Sequence, residues 1–170
     1  LVNGKKSDLA CPGDQVQFIL DQTPFFGEAG GQVGDQGVVR NDNLILFVDD
    51  VIREKQIFVH SGIIKSGELR VNQLVETLVD PLLRKRAQAN HTATHLLQSA
   101  LKSLIDNNIS QRGSLVAFDR LRFDFNCPKP LTSEQIQNIE NEINKWIAED
   151  HLIVIKTMTK DQALSLGALA

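Results

Sequence analysis

The stretch Asp80-Pro81-Leu82-Leu83-Arg84-Lys85-Arg86-Ala87-Gln88-Ala89-Asn90-His91-Thr92-Ala93-Thr94-His95-Leu96-Leu97 marks a change in the period of the chain. Asp80 is suited to cap a helix, because its carboxylate can accept the orphan backbone N–H groups of the first turn. Pro81 fits the first helical position, where no N–H is required. The helical pattern then continues to about Ile105, and Asn107-Asn108 closes it.

Upstream of this switch the apolar residues follow a period of two. Val16, Phe18 and Leu20 alternate with polar neighbours, and short apolar runs recur at Val38-Val39, Leu44 to Val48, Ile57 to Val59 and Leu69 to Val75. Turn-forming residues separate them at Gly13-Asp14, Gly27 to Gly37, Asn41-Asp42-Asn43, Asp49-Asp50 and Ser61-Gly62. Short strands at this spacing predict a small N-terminal β-barrel over residues 1–80, since they bury an apolar face only by closing on themselves. Downstream, Ser114 to Phe118 and Leu121 to Phe125 read as a hairpin turning at Asp119-Arg120. A second helix follows, with a capping box from Thr132 and Gln135 and an apolar face of Ile136, Ile139, Ile143, Trp146 and Ile147. Leu152 to Thr157 reads as a strand and Lys160 to Leu166 as the start of another helix. Residues 81–170 are therefore expected to be an α+β domain, with helices packed on a mostly antiparallel sheet, and the fold class is α+β overall.

The 170 residues carry a net charge of −3, with 42% hydrophobic and 23% charged residues. Such totals belong to a soluble globular protein and set aside disordered and fibrous classes. The charge argues against bulk electrostatic coating of nucleic acid, so any contact with RNA must be made by local patches. No apolar run is long enough to span a membrane and no signal peptide is visible, so no membrane partner and a cytoplasmic location are expected. Cys11 and Cys127 are far apart and form no Cys-x-x-Cys pair, which leaves them as separate thiols. The chain starts at Leu1 and stops at Leu169-Ala170 in an apolar stretch, and both ends read as cuts within a longer polypeptide.

His91 and His95 lie one helical turn apart, a spacing that lets two imidazoles share one metal ion. At 100° per residue, His95, Gln98 and Lys102 fall within about 40° of His91, whereas Ala93, Leu97, Ala100, Leu101 and Leu104 cluster at roughly 180° to 280°. The histidines thus face away from the apolar stripe of their own helix. Thr92 stands where a zinc protease would carry glutamate, which removes that class. Zinc needs further ligands, and Cys127, His60, His151 or a segment beyond Ala170 are the candidates. The glycine-rich run Thr23-Pro24-Phe25-Phe26-Gly27-Glu28-Ala29-Gly30-Gly31-Gln32-Val33-Gly34-Asp35-Gln36-Gly37 matches no nucleotide-binding loop. It reads either as a series of barrel turns or as backbone that approaches a ligand closely. Arg84-Lys85-Arg86, Lys102, Arg112, Arg120 and Arg122 gather positive charge, either to hold phosphates or as a solvated face.

Three segments in this order, the glycine-rich run, Arg86 to Leu97, and Gln111-Arg112-Gly113-Ser114-Leu115-Val116 leading into Arg120-Leu121-Arg122-Phe123-Asp124-Phe125, resemble the alanyl-tRNA synthetase family, and the resemblance covers nearly the whole chain. It points to the family's editing domain, which is similar to that of threonyl-tRNA synthetase and to freestanding AlaX proteins. The parent enzyme of such a domain attaches alanine to tRNA(Ala) using ATP, and the domain hydrolyses mischarged seryl- or glycyl-tRNA(Ala). The resemblance implies His91 and His95 as two zinc ligands, with the other two in a later Cys-Gly-Gly-Thr-His motif that this sequence does not contain. It implies Thr94, between the histidines, and Gln111 as contacts to the aminoacyl group, and Gly30 and Gly31 as shaping the site. Arg84 and Arg86 are the expected substrate phosphate contacts, the tRNA acceptor end and the rest of the synthetase chain the expected partners. A freestanding AlaX-type deacylase and a non-catalytic tRNA-binding module are the alternatives.

Overall fold

The structure is a computed structural model that describes residues 1–152, 154 and 156–168. Its first half is built from β1 (Leu9–Ala10), β2 (Gln15–Ile19), β3 (Gly37–Asn41), β4 (Leu44–Glu54), β5 (Ile57–Ser66), β6 (Leu69–Arg70) and β7 (Glu76–Val79). Five of these form an antiparallel sheet in the order β2-β5-β4-β3-β7, and β1 pairs with β6. The expected barrel is therefore an open sheet in hydrogen-bonding terms: among the described residues its edge strands, β2 and β7, do not pair with each other. The sheet folds over a core of Val16, Phe25, Val39, Leu44, Leu46, Val48, Val51 and Ile64.

Strand β4 shows why the turn signals misled. Leu44, Leu46 and Val48 point inward at alternate positions, then the register shifts between Val48 and Asp50 and Val51 becomes the next buried residue. Asp49-Asp50, expected as a turn, is instead an irregularity inside one continuous strand that switches which parity faces the core. Ser61-Gly62 likewise lies within β5, where a Cβ on Gly62 would overlap the Phe47 carbonyl oxygen. The run Leu69 to Val75 is not one strand: it breaks after Arg70 at a turn with Asn72 at φ 62°, and β7 follows.

The second half contains α1 (Pro81–Leu104), β8 (Gln111–Val116), β9 (Leu121–Phe125), α2 (Ser133–Ala148) and a short α3 (Lys160–Ser165). Asp80 Oδ1 accepts from the backbone N–H of Leu82 at 2.9 Å and Leu83 at 3.0 Å, so the expected cap is made. The Thr132–Gln135 capping box is also formed. Ala100, Leu101, Ile109, Phe123 and Ile139 make a second core between α1, the hairpin and α2. The expected α1 stripe is only partly right: Ala87 and Thr94 are buried, whereas Leu104 is 44% exposed at the last turn. Ile136 and Ile147 at the ends of α2 are also exposed. The sheet of this half is a two-stranded hairpin among the described residues. Leu152, Val154, Lys156 and Thr157 do not form the expected strand, and Ile153 and Ile155 lie outside the described residues.

His60 sits fully buried in the first core, stacked on Phe18 at 5.1 Å and edge-on to Phe25 at 5.6 Å. The Phe18 carbonyl can only accept, so the Nδ1 facing it at 3.3 Å carries the proton and Nε2 accepts from the Thr23 hydroxyl at 2.8 Å. Burial pushes this imidazole below its ordinary value of 6.5, against hydrogen bonds to the backbone at Phe18 and Phe58. Because the folded state holds the proton less tightly than the unfolded chain, this stabilisation is complete above 6.5 and is lost as pH falls below it. Urea unfolding midpoints are expected to fall between pH 7 and pH 5, and His60→Gln to show a weaker fall; matching pH slopes in the two proteins would contradict this role.

Candidate functional site at the joint of loop and helix

The glycine-rich segment between β2 and β3 is not a series of independent turns. Glu28 N–H donates to the Val51 carbonyl of β4 at 2.8 Å, and Asp35 N–H donates to the Phe26 carbonyl at 2.9 Å, which closes the segment on itself. Gly30 at φ 60° and Gly31 at φ 83° turn the chain so that Ala29 and Gln32 bond each other in both directions. Beyond the turn, Val116 N–H of β8 donates to the Gly31 carbonyl at 2.8 Å and Val33 N–H donates to the Val116 carbonyl at 3.0 Å. A Cβ on Gly31 would lie 2.6 Å from both the carbonyl oxygen and Oγ of Ser114, so only glycine permits this approach.

Helix α1 clasps the same loop from the other side. Arg84 Nε reaches both carboxylate oxygens of Asp35, at 2.9 Å and 3.0 Å, and its Nη2 bonds Asp35 and the Pro24 carbonyl. Asp35 is 1% exposed and also accepts from the Phe26 N–H at 2.6 Å. A buried carboxylate in this position depends on its partner, because an uncompensated charge costs several kcal/mol. Two turns along the helix, His91 Nδ1 lies 2.7 Å from Gln32 Oε1. The amide oxygen can only accept, which puts the ring proton on Nδ1 and leaves the Nε2 lone pair free.

His91 and His95 stack with ring centroids 5.1 Å apart and an interplanar angle of 22°. Their face of the helix is the one turned from the α1 stripe, as expected, and its N-terminal half is occupied by the loop. Burial, and then the neighbouring His95, push His91 below its ordinary value of 6.5. Among the described residues no group of three or more His, Cys, Asp and Glu side chains gathers to hold a metal ion. Of the expected further ligands, His60 is enclosed in the β-sheet core, Cys127 bonds the Lys129 carbonyl, and His151 bonds Glu149. The two imidazoles offer two of the four donors that a tetrahedral zinc ion would need, and one ring is held by a carbonyl-type acceptor of the kind that orients metal-bound histidines.

The other expected residues divide. Gln111 donates to Ser114 Oγ at 3.0 Å, which brings it to the glycine turn through one intervening side chain. Thr94 is 6% exposed and its hydroxyl donates to the Asn90 carbonyl at 2.8 Å, so its proton is committed to the helix. Arg84 is committed to Asp35 rather than open to a phosphate. Arg86, two positions on, falls about 200° round the helix and lies away from the histidine face. Arg120 and Arg122 pair with Asp119 and Asp124. No local pattern in the sequence marks Gln32 or Asp35 as a site residue, because their partners His91 and Arg84 lie 59 and 49 positions away; Ser114 joins the site only because the Gly31 turn packs against it.

The family described as tRNA synthetases class II (A) matches residues 1–82. The alanine–tRNA ligase of Prochlorococcus marinus (strain MIT 9515) is 57% identical over 161 residues, covering 95% of this chain and 18% of its own. That of Crocosphaera subtropica is 54% identical over 170 residues, covering the whole chain and 19% of the relative. That of Nostoc punctiforme is 51% identical over the same length. The chain belongs to the alanine–tRNA ligase family. It spans less than a fifth of the length of these ligases, 18% to 19%. No helix among its described residues is long and apolar enough to cross a membrane.

The two glycines of the turn are expected to differ. Gly31→Ala meets both a left-handed backbone and the Ser114 contact, whereas Gly30→Ala meets only the backbone cost, about 1–2 kcal/mol. Urea unfolding should show a clearly larger loss for Gly31→Ala, and equal losses would remove the argument from the close approach.

Proposed function

We propose that this chain is the editing part of an alanine–tRNA ligase and hydrolyses the ester that joins serine or glycine to the 3′ end of tRNA(Ala). The observation that carries the reading is the His91–His95 pair, stacked beside the glycine turn, with the Nδ1–H of His91 donated to the amide oxygen of Gln32. An aminoacyl ester is already reactive, so hydrolysis needs orientation and a well-placed water more than a strong nucleophile. A zinc ion held by His91 and His95 with donors from elsewhere in the ligase would polarise the ester or lower the pKa of a bound water.

This chain's own groups supply the rest. The turn at Gly30-Gly31 presents bare backbone against β8, and Gln111 with Ser114 offers an amide and a hydroxyl at its edge. Polar groups placed to bond a substrate hydroxyl discriminate against an analogue that lacks it, which suits rejection of alanine in favour of serine. The adenylation of alanine with ATP, the tRNA acceptor end as partner and a cytoplasmic setting belong to this same reading of the parent enzyme.

The test is deacylation of seryl-tRNA(Ala). A full-length ligase containing this segment should release serine, and His91→Ala with His95→Ala together should lower kcat/KM by about 100-fold or more, at or beyond the upper end of the about 10- to 100-fold that loss of an outer partner of a metal-bound histidine costs. This chain alone should be weak. Persistent seryl-tRNA in the presence of the full-length protein would defeat the reading, and salt-sensitive tRNA binding without hydrolysis would favour a docking module instead.

A further inference from the structure

We infer that Gln32 is the positioning residue of the histidine pair: its amide oxygen accepts the Nδ1–H of His91 and so fixes the tautomer that keeps the Nε2 lone pair of that ring available to a metal ion. The inference rests on the editing reading for the metal's task, but the hydrogen bond stands on its own geometry. His91 Nδ1 and Gln32 Oε1 are 2.7 Å apart, and Gln32 is 6% exposed, so water competes little for either group.

The backbone under Gln32 is fixed on both sides. Its N–H donates to the Ala29 carbonyl at 3.0 Å, and the flanking residues bond β8 through the Gly31 carbonyl and the Val33 N–H. The glycine turn therefore fixes the point from which the Gln32 side chain reaches His91, and burial keeps water from replacing it there. His95, by contrast, is exposed and its ring makes no hydrogen bond among the described residues. The pair is then one fixed ligand and one adjustable ligand. Outer partners of this type set the tautomer and ring orientation of a metal-bound histidine, and their loss typically costs about 10- to 100-fold in metal affinity.

The test uses Gln32→Met, which keeps side-chain length and removes the acceptor, and Gln32→Glu, which keeps an acceptor. In the metal-free chain with 15N-labelled histidine, NMR should place the His91 proton on Nδ1 in the unsubstituted protein and in Gln32→Glu, and move it toward Nε2 in Gln32→Met. In the full-length ligase, competition with a chromophoric chelator should show zinc affinity falling about 10- to 100-fold in Gln32→Met and retained in Gln32→Glu. A proton on Nε2 of His91 in the unsubstituted chain overturns the proposal, as does zinc affinity unchanged by Gln32→Met. If these readouts behave as expected while the full-length ligase leaves seryl-tRNA intact, the editing reading fails and the positioning role remains. If the ligase deacylates seryl-tRNA and the tautomer ignores Gln32, the positioning role alone fails.

Discussion

The carboxylate of Asp35, almost wholly removed from water and answered by Arg84, is the constraint on which the arrangement of this chain depends. Burying a carboxylate is costly unless a cation and further donors satisfy it. Here the Arg84 guanidinium and the Phe26 N–H supply them from two different directions. The carboxylate thereby fixes the closure of the glycine-rich loop and the angle at which α1 leaves the sheet. Breaking the pair by removing Arg84 would cost more than a surface ion pair is worth, because it leaves a carboxylate that is 1% exposed without its cation.

Once the first turn of α1 is anchored to the loop, the rest of that helix face is placed without further choice. Arg84, His91 and His95 fall on one side of the cylinder, so the clasp that orients the helix also brings His91 against Gln32. On the far side of the loop the Gly31 turn admits Ser114, and Ser114 holds Gln111. A chain of contacts from Gln111 through Ser114, Gly31 and Gln32 to His91 thus links β8 to α1. Residues that the sequence shows as separate motifs become neighbours because one loop is packed between two elements.

What the sequence made legible was local. Asp80 and Pro81 open α1, and Thr132 with Gln135 opens α2, because capping chemistry depends on residues two or three positions apart. The outward direction of His91 and His95 followed from helical geometry in the same way. Signals that need tertiary context were misread: Asp49-Asp50 and Ser61-Gly62 resemble turns but lie within β4 and β5, where neighbouring strands hold the backbone extended. Arg84 resembled a phosphate contact because its partner is 49 positions away, and Gln32 drew no notice because His91 lies 59 positions away. Membership of the alanine–tRNA ligase family was carried by motif order, which survives without any knowledge of these contacts.

Amide hydrogen exchange in Arg84→Gln tests most directly whether the loop and α1 form a single joint. Three N–H groups report on it: Phe26 on Asp35, Val33 on Val116, and Val116 on Gly31. Removing the guanidinium should lower the protection of all three together and leave the inward strands of β4 and β5 protected as before. Unchanged protection at these three amides would show that the loop holds its place without the ion pair, and the central claim would be wrong.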